Sequence, residues 1–329
     1  SGDGRLWRRD RWLAERVPPA PLDLAAVSRE AAAWGVAGFT DADPERTQAD
    51  VDLLRDAAAA GDLLQDVVLM SAAGLDLATG NGTGDGTGTG GAPARLRPGP
   101  HKLLLDDATL PGLDDLAATV RDAHGAGRPV AVHCVTRVQL VLTLAALAEA
   151  GPHPRDRVEH AAVVPPELRA DMRRLGVTVV TQPNFVAERG DQYLAEVDPG
   201  DVDLLYPCHT LRAAGVPVAA GTDAPFGRPD PWAAMRAAVR RRAPSGAAVG
   251  GHERVDARTA LGLFLGRPEA PALERTVEPG GSADLCVLDR PLSAALEALT
   301  PDAVAATLAR GRVIAGHAGD TGHHPGHGG

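Results

Sequence analysis

The sequence predicts an α/β protein: a TIM-like (β/α)8 barrel lacking strand 1, followed by a small C-terminal β-subdomain. Three observations carry this. Seven short, nearly continuous apolar segments recur along the chain, each followed by a helical pattern. Apolar segments alternating with helices build a parallel sheet covered on both faces. Several segments also end in a polar residue, which fits the carboxyl ends of barrel strands better than an open doubly wound sheet. After residue 255 the rhythm changes to one helix and then Gly-rich strand patterns. Seven βα units fall one short of eight, so the first strand is expected before residue 1.

Residues 1–22 form an arginine- and proline-rich lead-in, 23–265 the barrel strands 2–8, 266–316 a returning β-sandwich-type segment, and 317–329 a disordered His/Gly tail. Within the barrel, Leu24 to Trp34 is a helix with Leu24, Val27, Ala31 and Trp34 on one stripe. Val36 to Thr40 is a strand, Gln48 to Ala60 a helix, and Val67 to Met70 a strand. Residues 80–91 contain a GxGxxG match, but the prolines that follow forbid the helix a dinucleotide site needs, so a flexible loop is expected. Strand Lys102–Leu105 ends in Asp106 and Asp107 and precedes helix Leu113–His124, which Asp114 is expected to cap. Strand Val130–Val132 ends in His133, and helix Val138–Ala150 follows. Strand Arg157–His160 leads to helix Pro166–Leu175, with proline in its first turn. Strand Val177–Thr181 leads to Gln182, and helix Val202–Ala214 to the buried strand VPVAAG, past whose end stands Asp223. Helices Pro231–Arg242 and Asp256–Leu265 come next, then a strand in ADLCVLD and a strand pair around Gly311.

With 329 residues, 44% of them hydrophobic, the chain has enough apolar mass for a large core. A net charge of −10 argues against nucleic acid and anionic membrane as partners. The three cysteines, Cys134, Cys208 and Cys286, have no CxxC spacing, so neither disulfides nor a thiolate zinc site is indicated. A reducing, cytoplasmic location is the expectation, and no apolar run is long enough to span a bilayer.

Four strand-end groups carry the chemistry: Lys102, His133, His160 and Asp223. Side chains alternate along a strand. His133 shares a face with Ala131 and His160 with Val158, and both imidazoles are expected to point into the barrel. Two histidines and an aspartate from separate strands suit zinc or a similar divalent ion. Asp223 can then orient a water and take its proton. Each residue alone has a structural explanation: a hydrogen-bonded core histidine, a solvated lysine, a helix cap. Glu159 beside His160 is expected to pair with a surface arginine. Recurrence at successive strand ends tips the balance toward a site. There is no GxSxG elbow. Cys134 faces away from His133 and serves as apolar filler, Cys208 and His209 are expected at the surface, and His101 toward the helices.

The stretches KLLLDD (102–107), AVHC (131–134), RVEHA (157–161), TQPNF (181–185), AAGTDAP (219–225) and EPGGSADLCVLD (278–289) with RGRVIAG (310–316) resemble the amidohydrolase superfamily, most closely its amidohydrolase-3 branch. The resemblance implies that His133 and His160 are metal ligands, that Asp223 is both ligand and general base, and that Lys102 is the lysine that bridges two metals when carboxylated. It implies that Gln182 and Asp106 face the substrate. The family opens its barrel with an HxH pair, and no HxH occurs in this chain. The implied function is metal-dependent hydrolysis of amide-type C–N bonds in small N-acyl or N-formyl molecules by metal-activated water, with one or two zinc ions as cofactor. A non-catalytic relative acting as a binding chain and a mononuclear cyclic-amidine deaminase are the alternatives. A barrel short of one strand also exposes two sheet edges, which makes pairing with a second copy an expectation.

Overall fold

The computed structural model describes residues 12–13, 15–17, 22–71 and 95–316. The Gly-rich stretch at 80–91 and the tail at 317–329 lie outside the described residues. Helix α1 (Leu24–Ala33) starts at Asp23, whose carboxylate accepts from Ala26 N. Strand β1 (Gly38–Asp41) follows, then α2 (Gln48–Ala60). A reciprocal Thr47–Asp50 capping box opens α2, and Gly61 closes it at φ +83°. Next come β2 (Asp66–Ser71), β3 (Leu96–Leu104), α3 (Leu113–Gly125), β4 (Val130–Cys134) and α4 (Arg137–Ala150). The series continues through β5 (Arg157–His160), α5 (Arg169–Leu175), β6 (Thr178–Thr181), α6 (Asn184–Glu196), α7 (Pro199–Val202), α8 (His209–Ala213), β7 (Val218–Ala220), α9 (Pro231–Arg240) and α10 (Ala257–Gly262).

Strands β1 to β7 form one parallel sheet in sequential order, curled into a half-barrel. Register explains its two faces. Leu103, Val132, Val158, Val179 and Val218 lie opposite one another across five strands. The four valines belong to the core packed under the helices, with Leu140, Leu144, Leu147, Met172 and Leu211, and the partly buried Leu103 packs against it. A valine ladder of this kind buries β-branched side chains where strands accept them best. The alternate rows, Lys102–Ala131–Arg157–Thr178 and Leu104–His133–Glu159–Val180–Ala219, face the concave side.

Beyond the barrel strands, β8 (Gly266–Arg267) and β9 (Ala270–Glu274) form a small hairpin. Strand β10 (Leu285–Leu288), helix α11 (Leu292–Ala298), β11 (Val304–Ala309) and β12 (Arg312–Gly316) follow, with the three strands antiparallel. This small sheet packs on α1: Thr307 Oγ1 donates to Ala32 O at 2.6 Å. The Trp232 indole donates to Trp34 O at 2.9 Å, tying α9 to the same corner.

The structure corrects several expectations. On α1 the buried stripe is Ser28, Ala31 and Ala32, while Val27 is exposed; Ser28 turns inward because its hydroxyl bonds Gln65. Gly112, not Asp114, precedes α3, and it makes no side-chain cap. The single helix expected over 202–214 is interrupted between α7 and α8. There the buried Arg241 donates to Leu205 O and Tyr206 O, and the buried Glu253 accepts from Cys208 N and Thr210 N. Those side chains satisfy a backbone that helical bonds would otherwise satisfy. Cys208 is accordingly buried, not at the surface.

Candidate active site

Lys102 lies one residue pair from the carboxyl end of β3, which begins at Leu96, six residues earlier than where the sequence pattern starts it. Its side chain is buried on the concave face. Burial pulls the ammonium pKa down, against Glu159 and Asp223, which hold it up.

His133 reaches the concave face by ordinary alternation on β4, and Cys134 turns to the core, where its sulfur lies 3.2 Å from Thr143 Oγ1. Burial pushes the Cys134 thiol up to about 12, which suits filler rather than nucleophile. His160 does not follow alternation. Val158 belongs to the helix-packed core, so the expected shared face would have sent the imidazole outward. His160 and Ala161 instead adopt φ +72° and +46°. That left-handed turn carries the ring round to His133, at 4.5 Å between centroids and 75° between planes. Non-glycine residues resist this conformation, and such kinks collect at functional sites.

Gln182 orients the second histidine. Its Nε2 donates to Val180 O at 3.1 Å, so its Oε1 is the acceptor facing His160 Nδ1 at 2.7 Å. His160 Nδ1 must then carry the proton, and Nε2 keeps its lone pair. Burial, followed by the charge of Lys102, pushes the His160 pKa down to about 4, so the ring is neutral at neutral pH. Gln182 is itself buried with both ends of its amide engaged.

Glu159 pairs with no surface arginine. It points into the concave face with Arg157, whose Nε lies 2.9 Å from Glu159 Oε1, and both are buried. The sequence spacing contained this signal: residues 157 and 159 alternate away from Val158.

Asp223 follows β7 in a left-handed conformation, φ +56°. Burial pushes its pKa up to about 6, with Lys102 pulling it down and Glu159 pushing it up. Asp106 Oδ1 accepts from Ala108 N at 3.0 Å and caps a short turn. Asp107 accepts from Thr136 and Gln139. His133 and His160 are thus brought together, with Lys102, Arg157 and Glu159 on the same concave face. Among the described residues, no three His, Cys, Asp or Glu side chains converge in a metal-holding group. The two imidazoles, one with its tautomer fixed, match the nitrogen donors a zinc-like ion prefers.

The sequence analysis placed no element over 184–196, where the structure forms α6 with Pro183 at its N-cap. Arg189 on this helix stacks 4.4 Å over the Phe185 ring, and Phe185 packs edge-on against Tyr206.

A model of the amidohydrolase family, branch 3, matches residues 17–315. The chain is 29% identical over 131 residues to the putative amidohydrolase YtcJ of Bacillus subtilis, and 30% identical over 139 residues to an N-substituted formamide deformylase of Arthrobacter pascens. Those alignments take in 39% and 41% of this chain but only 25% and 26% of the relatives. Among solved structures, an uncharacterized metal-dependent hydrolase from Pyrococcus furiosus superposes with TM-score 0.60 at 21% identity, over 80% of this chain and 58% of that one. A mutant of atrazine chlorohydrolase TrzN from Arthrobacter aurescens TC1, complexed with zinc and atraton, gives TM-score 0.61 at 16% identity, over 94% and 75%. At these identities the likeness to solved structures is one of fold.

Proposed function

This chain belongs to the amidohydrolase family, and we propose that its concave face is the active site of a metal-dependent hydrolase of amide-type C–N bonds in small N-acyl or N-formyl molecules. The observation that carries the reading is the His133–His160 pair: two imidazoles from adjacent strands, 4.5 Å apart, one of them turned inward by a left-handed kink. His133 and His160 would hold a divalent ion, zinc by donor type, with Asp223 and Lys102 as the further candidates. A divalent ion bound there supplies a water of lowered pKa and polarises a carbonyl.

The chain's own groups do the rest. Gln182 holds His160 with Nε2 free for donation. Asp223 takes the proton of the attacking water and returns it to the leaving nitrogen. Arg157 places positive charge beside the reacting carbonyl, offset by Glu159, in a water-poor interior, and Lys102 joins the ligands only in its carboxylated form. The printed name of the Arthrobacter pascens relative supports an N-substituted formamide as the first substrate to try.

The test is metal content of the purified chain by inductively coupled plasma mass spectrometry, with His133→Ala and Asp223→Ala beside it, followed by release of formate from N-benzylformamide. Expected is about one ion or more per chain, lost in both variants together with turnover. A metal-free parent, or variants that keep metal and turnover, refutes the reading.

A further inference from the structure

We propose that the first turns of α6 form a clamp whose residues Asn184, Glu188 and Arg189 hold the loop 222–228, and so position Asp223. The inference rests on Asp223 acting as proposed above, and it adds the device that places it.

The loop leaves β7 with Gly221 N donating to Thr181 O at 3.0 Å. Past that point three residues of one helix take over. Asn184 Nδ2 donates to Thr222 O at 3.0 Å and to Glu188 Oε1 at 3.3 Å. Two acceptors on one side of the amide fix its orientation. Arg189 donates to Phe226 O. Glu188 accepts from Arg228 N at 3.1 and 3.3 Å. Residues 222, 226 and 228 are thus tied on both sides of Asp223, and Asn184 and Glu188, four apart, share one helix face.

Asn184 is buried at 1% exposure, and its Oδ1 has no hydrogen-bond partner among the described residues. A buried amide left half-satisfied costs stability. Asn184 therefore fits poorly as mere packing and well as a donor that the loop requires. The contact is also tight. A Cβ at Gly227 would lie 2.3 Å from Asn184 Nδ2 and 2.4 Å from Thr222 O, so glycine is what lets the loop close onto the helix. Asp223 holds φ +56°, a conformation that persists only where surrounding contacts enforce it. The backbone bond from Gly227 N to Asp223 O at 3.0 Å passes the restraint to Asp223 itself.

Asn184, Glu188 and Arg189 are positioning residues. Displacing a reacting group by about 1 Å costs on the order of a hundredfold in rate. The experiment compares wild type, Asn184→Asp, Glu188→Ala, Glu188→Gln, Gly227→Ala and the exposed control Gln192→Ala. Two readouts are taken: backbone hydrogen exchange across 222–228, and kcat and KM for formate release from N-benzylformamide with zinc supplied. Expected is faster exchange over 222–228 in Asn184→Asp, Glu188→Ala and Gly227→Ala. In the same variants kcat falls about 10- to 100-fold with KM within about twofold. Glu188→Gln, which keeps an acceptor for Arg228 N, recovers most of both, and Gln192→Ala matches wild type. Wild-type exchange in all three clamp variants overturns the clamp. So does faster exchange with kcat unchanged, or an equal loss in Glu188→Gln and Glu188→Ala. Should the wild type itself show no turnover, the proposed function fails and exchange alone decides: protection lost in the three clamp variants upholds the clamp, and protection kept refutes it.

Discussion

Replacing Arg157 by methionine should destabilise the protein by about 3 kcal/mol, and the structure gives the reason. Arg157 and Glu159 are 3% and 5% exposed, with Nε and Oε1 2.9 Å apart. At an effective dielectric of about 20, a pair at that separation attracts by about 6 kcal/mol before desolvation is counted. Methionine keeps most of the arginine's volume, so little of the loss is cavity; the loss comes from Glu159, left buried without its partner. Removing one member of a buried pair costs about 3–5 kcal/mol. Lys102 stands near enough to Glu159 to retain part of the compensation, which places the expectation at the low end. Urea melts should give the free-energy difference directly, and calorimetry a midpoint lowered by about 6 °C, taking about 2 °C per kcal/mol for a chain of this size. The double variant Arg157→Met/Glu159→Leu should recover most of the loss, because no charge is then stranded. A single variant within about 1 kcal/mol of wild type, or a double variant as unstable as the single, would show that this pair is not a buried ion pair in solution.

Two further expectations concern packing. Gly190→Ala gains helix propensity, yet its Cβ would sit 2.7 Å from Ala243 Cβ and 2.9 Å from Ala243 Cα. Backbone must shift, so a net loss of about 1–2 kcal/mol is expected in urea melts, and a gain would refute the contact. On α4, Leu147→Ala, at a fully buried position, should cost about 3 kcal/mol. Val141→Ala on the same helix, at 51% exposure, should stay within about 0.5 kcal/mol, and equal losses would mean the helix faces another way.

The repeating part of the fold was legible because its physics is periodic. Helix Gln48–Ala60 matches its expected bounds, and Val130, Arg157 and Leu113 begin their elements where the pattern starts them. Amphipathic spacing and capping residues suffice for such segments. Three kinds of feature escaped. Helix α6 contains Gly190, which local rules count against a helix interior, while tertiary contact with Ala243 demands the glycine. The break between α7 and α8 depends on Arg241 and Glu253, more than 30 residues distant, and nothing near 203–208 announces them. Strand β3 begins at Leu96 despite Pro98, which propensity rules set against a strand interior. The family resemblance pointed to Lys102, His133, His160 and Asp223, but it said nothing of how the imidazole of His160 comes to face inward.

A strand that alternates without interruption can present only every second residue to the concave face, and on β4 that residue is His133. On β5 the same rule presents Arg157 and Glu159 and would bury His160 among the valines. Two consecutive left-handed residues, His160 and Ala161, break the rule at the last residue of the strand, and Gln182 takes hold of the ring once it has turned. Asp223, just past the ladder at the end of β7, is also left-handed, in a loop whose Thr222 O and Arg228 N are bonded by Asn184 and Glu188. The regular register builds the hydrophobic core and carries the charged row Lys102, Arg157 and Glu159 on its other face. The departures from that register bring the second imidazole and the carboxylate to its rim. Each departure costs on the order of 1–3 kcal/mol, so it endures only where fixed partners compensate. At His160 the partner is Gln182, and around Asp223 the loop bonds of Asn184 and Glu188 stand in that place.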